Sequence, residues 1–248
     1  MESEIGKRIQ DLQHENAEVR WGAAAALAED ADAGVDLSAA VPALTDALQD
    51  AEGAVRFKAA YALVSIAEHG GDITPAIPAL AGALADESED LRRETVWALY
   101  CLAYEGRDID AAAAALVGCL KDSNRSVRGN GAIGLTLHYL NTGRVQEAQE
   151  LLEYGDGAVQ FGAAWGHTDH YRKQQAKAEL QALIRRIRPG ILDVSIRDGL
   201  VGSLDWARER GEDISFALSV IYELLADAKD SLEQAPLYGI LMKLDRRD

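Results

Sequence analysis

The side chains best suited to acid–base or metal chemistry in this chain stand together in Gly166-His167-Thr168-Asp169-His170-Tyr171. Two imidazoles and a carboxylate this close could share a proton or begin a metal site. Spacing alone supplies no third firm ligand. The competing expectation is therefore a core histidine hydrogen-bonded across a kink, and no metal residue is assigned. A second chemistry is recognition: Trp21, Phe57, Tyr61, Trp97, Tyr100, Phe161 and Trp165 recur at regular spacing together with Arg93, Glu94 and Asp169. Rings beside carboxylates suit a segment carrying Lys or Arg, through cation–π contact and charge steering. The chain has no Gly-rich phosphate loop, Gly-x-Ser-x-Gly elbow or spaced Cys/His set, so no catalytic residue and no cofactor is expected.

What must position these residues is a repeat. Val19-Arg20, Val55-Arg56, Leu91-Arg92 and Val127-Arg128 follow one another every 36 residues. A step of 32 leads to Val159-Gln160, then 37 to Ile196-Arg197 and 36 to Leu232-Glu233. A period in this range signals stacked supersecondary units. Counting from the first residue of each pair, offset four holds Ala23, Ala59, Thr95, Gly131, Ala163 and Leu200, and offset five holds Ala24, Ala60, Val96, Ala132, Ala164 and Val201. Offset eight is Leu27, Leu63, Leu99, Leu135 and Leu204, with His167 breaking the rule. Those offsets share one side of an α-helix, so each unit has a helix packed through small residues and a leucine.

A shorter helix precedes it, in Val41–Leu48, Ile77–Leu84 and Ala113–Leu120. Ser38, Thr74, Asp110 and Ser215 are expected as its caps, and Leu37, Ile73, Ile109 and Ile214 as staples. Pro42 and Pro78 lie four residues beyond the cap and predict a helix that begins later. Gly34, Gly70, Gly106 and Gly211 are expected to end the preceding helices. Asp50, Asp86 and Asp122 stand six residues before an arginine, Asp227 before Glu233, and such pairs can bridge units bidentately.

The string Asp50, Val55-Arg56, Ala59-Ala60, Leu63 resembles the HEAT repeat, and more closely the HEAT-like repeats of phycobilisome (bilin) lyases. The resemblance implies an all-α fold: a right-handed α-α superhelix, or solenoid, of about seven helical hairpins. We expect one solenoid over 1–248, regular to about 142 and irregular over about 143–248. Tyr171 to Arg188 reads as nearly unbroken helix, ended at Arg188-Pro189-Gly190. In that family the Val-Arg helix lines the concave face. Offsets two, six and nine then face outward and carry seven of the fifteen aromatic residues, with Glu29, Asp198 and Asp205 also nearby. The alternative is that these rings pack between helices and set curvature.

Composition narrows the partner. Net charge is −16 and the sequence pI is near 4.7, the wrong sign for a phosphate backbone, so no nucleic acid is expected. Hydrophobic residues at 48% and charged residues at 27% mark a folding chain. There is no long apolar run and no signal core, and Cys101 and Cys119 sit in apolar helical stretches. A soluble protein of a reducing, cytoplasmic compartment is expected, with no membrane partner. The expected function is non-enzymatic: binding a protein or peptide segment, one carrying basic residues included, in an aromatic, acidic groove. The alternative, implied by the resemblance, is a bilin lyase or isomerase acting on a tetrapyrrole-carrying partner, although the lyase-like units run nearer 30 residues.

Overall fold

The repeat is realised as helix pairs. The computed structural model describes residues 2–185, 193–227 and 231–245. Among them every regular element is helical. The helices are α1 (Glu2–Asp11), α2 (Ala17–Asp32), α3 (Val41–Ala47), α4 (Gly53–Glu68), α5 (Ile77–Ala83), α6 (Glu89–Tyr104), α7 (Asp110–Cys119), α8 (Arg125–Asn141), α9 (Val145–Leu152), α10 (Gly157–Lys173), α11 (Lys177–Arg185), α12 (Asp193–Glu209), α13 (Ser215–Asp227) and α14 (Ser231–Asp245). Among the described residues α1 pairs with α2, α3 with α4, α5 with α6, α9 with α10 and α13 with α14, and the Val-Arg landmarks fall in the even-numbered helices. The chain divides into two compact units, Met1–Gly134 and Leu135–Asp248.

In the first unit α2 packs on α4 and α4 on α6, while α3 and α5 cover them from the other side. Val55, Ala59, Ala60 and Leu63 are all fully buried, so the small pair lets neighbouring helices approach and the leucine fills the space left. Side chains also stitch the units together. Arg20 sends Nε and Nη2 to the two carboxylate oxygens of Asp50, at 2.5 and 2.9 Å. Arg56 does the same to Asp86 at 2.8 and 3.2 Å, and Arg92 to Asp122 at 2.7 and 3.1 Å. The pairs are 30 residues apart, so each arginine reaches the turn of the following hairpin. Its remaining Nη1 ties back to its own turn: Arg56 to Asp50 O (2.9 Å), Arg92 to Asp86 O (2.9 Å) and Arg128 to Asp122 O (2.8 Å). The hydrogen bond from Arg20 holds Asp50 below the usual carboxylate range, and Arg92 does so for Asp122.

The outer helices show where local expectation holds and where it fails. Leu37, Ile73, Ile109 and Ile214 are buried as staples should be. The caps differ. Asp36, Asp72, Asp108 and Asp213 accept the amides of Ser38, Thr74, Asp110 and Ser215 at 2.8–3.0 Å. The aspartate two residues upstream thus satisfies the turn, which removes the capping role from Ser38, Thr74, Asp110 and Ser215. Where proline stands, residues Ser38–Ala40 and Thr74–Ala76 wind as 3-10 turns and the α-helix starts at Val41 or Ile77. At the same place α7 has Ala114, and its helix runs from Asp110 without interruption.

Gly34, Gly70, Gly106 and Gly211 have φ between +73° and +81°, the left-handed conformation of a helix end, and Gly143 joins them. Gln175 takes the same conformation (φ +52°) without being glycine. The amide of Gln175 bonds Arg172 O at 3.1 Å and that of Ala176 bonds Tyr171 O at 2.9 Å, ending α10. The helix expected to run unbroken from Tyr171 is therefore split at Gln174–Ala176. No glycine or proline announced that turn. The stop expected at Arg188-Pro189-Gly190 lies outside the described residues, as do the side chains of Asp227, Leu232 and Glu233.

In the second unit α10 packs on α12, α9 and α11, and α12 and α13 pack on α14. The α10–α12 approach is close because α12 has glycine at the crossing. A Cβ on Gly199 would lie 2.2 Å from Phe161 O, and one on Gly202 would lie 2.7 Å from the Trp165 ring.

Candidate functional site

Helix geometry decides which of the expected site residues reach solvent. At 100° per residue, offsets two, six and thirteen share a wedge about 40° wide, while offsets nine and ten lie to either side of it. Offset nine is buried in α4, α6, α8 and α10: Val64, Tyr100, Thr136 and Thr168 are at most 4% exposed. Tyr100, at 1%, is thereby corrected from groove wall to core residue. Offset ten is mixed, buried at Ser65, Leu137 and Asp169 but exposed at Glu29, so the wedge is the more consistently open strip.

In the first unit the wedge holds Trp21, which is 45% exposed, and half-buried Phe57, Tyr61, Arg93 and Trp97. Offset thirteen adds Asp32 and Glu68, both exposed. Sequence reasoning missed these two acids, although they share the angular position of offsets two and six. They hold the rings. Tyr61 donates its hydroxyl to Asp32 Oδ2 at 3.3 Å, and Trp97 donates Nε1–H to Glu68 Oε1 at 2.8 Å, each acid sitting 29 residues earlier on the preceding inner helix. Ser65 donates to the other oxygen of Asp32. Phe57 and Tyr61 lie 6.5 Å apart between centroids, and Lys58 Nζ stands 5.9 and 5.5 Å from their rings. That ammonium illustrates what these faces attract.

The electrostatics are lopsidedly negative. Arg93 pairs with Asp90 at 2.9 Å and reaches Glu94 at 3.4 Å. Burial nevertheless pushes the Glu94 carboxyl above its ordinary range, with Asp90 and Glu68 adding to the effect. The Asp32 carboxylate, burial and the more distant Glu94 and Glu68 raise the Tyr61 phenol. Three carboxylates thus act on one side of Tyr61, and an incoming cation would relieve their repulsion.

The second unit carries its own aromatic cluster on α10 and α12. Phe161 and Trp165 are half-buried with centroids 5.8 Å apart, and Trp165 lies 6.4 Å from Trp206. Asp169 is 0% exposed and cannot face a partner as expected. It accepts from Ser203 Oγ at 2.8 Å and from Trp165 Nε1 at 3.1 Å, with Arg172 Nη2 at 3.5 Å. Arg172 also bonds Glu212 at 2.8 Å. Burial pushes the Asp169 carboxyl up to about 6, against the pull of Ser203 and Arg172. Its role is to orient Trp165 and to join α10 to α12.

The histidine cluster does not converge. His167 is buried, its Nδ1 2.8 Å from Ala163 O one turn back. His170 Nδ1 lies 3.2 Å from Asn141 Oδ1, and burial lowers its pKa. Asp169 faces α12 instead. Among the described residues no group of three or more His, Cys, Asp or Glu is placed to hold a metal ion, and no helix is long and apolar enough to cross a membrane.

Residues 5–100 match the family model of HEAT repeats, which is where the Asp–Val-Arg–Ala-Ala–Leu string is most regular. No curated protein matches the sequence. Several solved structures share the fold. A designed armadillo repeat protein in complex with peptide (KR)4 aligns with a TM-score of 0.55 at 19% identity, covering 98% of this chain and 100% of that one. A crystal structure of computationally designed armadillo repeat proteins for modular peptide recognition gives 0.55 at 18% identity, covering 97% and 100%. The complex of CpcE and CpcF of phycocyanin lyase from Nostoc sp. PCC7120 gives 0.49 at 22% identity, covering 97% and 94%. The two armadillo likenesses establish the all-α repeat fold and nothing finer.

Proposed function

We propose that this helical-repeat chain is a protein-interaction module, binding an extended protein or peptide segment with Lys or Arg side chains against the aromatic, acidic wedge of α2, α4 and α6. One observation carries the reading: two rings on successive inner helices, Tyr61 and Trp97, are each pinned at the polar tip by an acid of the preceding inner helix. Pinning lowers the entropy lost on binding and leaves the ring faces toward solvent. Trp, Tyr and Arg, the side chains that dominate binding hot spots, make up most of this wedge. Supporting chemistry comes from the net charge of −16 and from the carboxylates around Tyr61. The armadillo protein of similar fold that was solved with a (KR)4 peptide is a precedent for such a ligand on such a scaffold.

Fluorescence titration with a (Lys-Arg)4 peptide tests the proposal. Trp97→Ala removes one ring and Glu68→Gln removes the acid that orients it. Each is expected to weaken binding about tenfold while far-UV circular dichroism stays unchanged. Unaltered affinity in both variants, with helicity intact, sinks the proposal.

A further inference from the structure

The wedge of the first unit carries a cation of its own. Offset three holds Gly22 in α2, Lys58 in α4 and Glu94 in α6. That position lies about 60° around the helix from offset six, so a long side chain rooted there can fold back over the wedge. Lys58 does so. Its Nζ stands 5.9 Å from the Phe57 centroid and 5.5 Å from the Tyr61 centroid, both within cation–π reach. The two rings are 6.5 Å apart and tilted by 35°, and the ammonium meets both at once.

Two observations set this contact apart from that of an ordinary surface lysine. The other basic side chains of α2, α4 and α6 are all engaged by carboxylates: Arg20 by Asp50, Arg56 by Asp86, Arg92 by Asp122 and Arg93 by Asp90. Lys58 alone among them rests on rings, in a chain whose acids outnumber its Lys and Arg by 41 to 25. The acid that holds the seat is also committed. Asp32 accepts the Tyr61 hydroxyl at one oxygen and the Ser65 hydroxyl at the other. It therefore fixes the ring and adds negative charge behind it, while its hydrogen bonds keep it from drawing the ammonium off the ring faces.

We propose that Lys58 is an internal stand-in for the ligand: its ammonium occupies the Phe57–Tyr61 seat in the free chain, and a Lys or Arg side chain of the partner segment displaces it. The stand-in depends on the reading of the wedge as a surface for a basic segment, and it adds how that surface is occupied before the partner arrives. An exposed cation–π contact is weak and the lysine stem is flexible, so Lys58 yields to a side chain that other contacts hold in place. Its presence lowers affinity for the segment by about three- to sixfold, the factor by which the open seat is under-populated. Removing the ammonium opens the seat.

Side-chain NMR of the full chain carrying isotope-labelled lysine tests it, with unlabelled (Lys-Arg)4 as the probe and the Trp97 indole signal reporting binding at the wedge. In the free protein ring currents are expected to move the Lys58 ε-methylene protons upfield of those of exposed Lys121, and Phe57→Leu is expected to reduce that shift. As (Lys-Arg)4 is added, the Lys58 signal is expected to approach the Lys121 position in step with the Trp97 indole. Lys58→Gln is expected to tighten (Lys-Arg)4 binding about three- to sixfold, and by less in a Phe57→Leu background, with far-UV circular dichroism unchanged. A purely long-range charge effect gives the same gain in both backgrounds. A Lys58 signal already at the Lys121 position in the free protein, or an equal gain in both backgrounds, overturns the proposal. A Lys58 signal that stays fixed while the Trp97 indole shifts overturns it and leaves the reading of the wedge standing. If neither signal moves, the reading of the wedge falls and the stand-in falls with it.

Discussion

Asp169→Asn should flatten part of the pH dependence of stability. Asp169 is wholly buried, and its carboxyl is pushed up to about 6 against an ordinary value of 3.8. A raised acid binds its proton more tightly in the folded state than in the unfolded one. Its contribution is therefore favourable below the unfolded value and is lost as pH climbs through the folded one. The full gap corresponds to about 3 kcal/mol, of which about 2 kcal/mol falls between about pH 4.5 and about pH 7.5. Asparagine has nearly the same shape and can direct its oxygen toward Trp165 Nε1 and its amide toward the Ser203 hydroxyl, which also accepts. Arg172 keeps Glu212. Urea unfolding of both proteins across that pH range cancels the titration of every shared carboxylate. The stability of the parent relative to the variant is expected to fall by about 2 kcal/mol as pH rises. Parallel curves would refute the assignment of Asp169 as a desolvated, late-titrating acid.

Other outcomes follow from the same geometry. Gln175→Gly relieves a left-handed residue at the end of α10 and is expected to stabilise the chain by about 1 kcal/mol in urea unfolding. Arg56→Ala removes both bonds to Asp86 and the tie to Asp50 O, at side chains only 13% exposed. A loss of about 2–4 kcal/mol is expected. Arg56→Lys should recover only part of it, because an ammonium cannot reproduce the fork. Cys119, buried and with its thiol pushed up to about 11, should resist alkylation near neutral pH until the chain unfolds, as read by mass spectrometry.

The repeat carried most of the fold in plain sight. A leucine at offset eight and small residues at offsets four and five state a packing face; the recurring Asp and Arg announced ion pairs, but each carboxylate meets the arginine 30 residues earlier, and the arginine six residues later reaches only the aspartate's backbone oxygen. Legibility ended where a position's fate depends on a neighbouring helix. Offset nine points away from its own helix's core side, so Tyr100 read as exposed, yet the adjacent inner helices enclose it. Asp169 was hidden in the same way: its burial follows from the close approach permitted by Gly199 and Gly202, which periodicity does not reveal. Gln175 shows the opposite failure, a left-handed turn without the residue that usually marks one. Asp32 and Glu68 were legible in principle, since offset thirteen shares the wedge of offsets two and six.

The most direct test of the recognition surface is the indole region of a proton–nitrogen NMR spectrum, where the chain's four tryptophans each give one signal. Trp97 bonds Glu68 through its indole N–H, so a cation drawn to that carboxylate must disturb the resonance. On addition of (Lys-Arg)4 the Trp97 and Trp21 signals are expected to move saturably, and neither should respond to (Asp-Glu)4. Indole signals that stay fixed, or that move equally with the acidic peptide, would contradict the account.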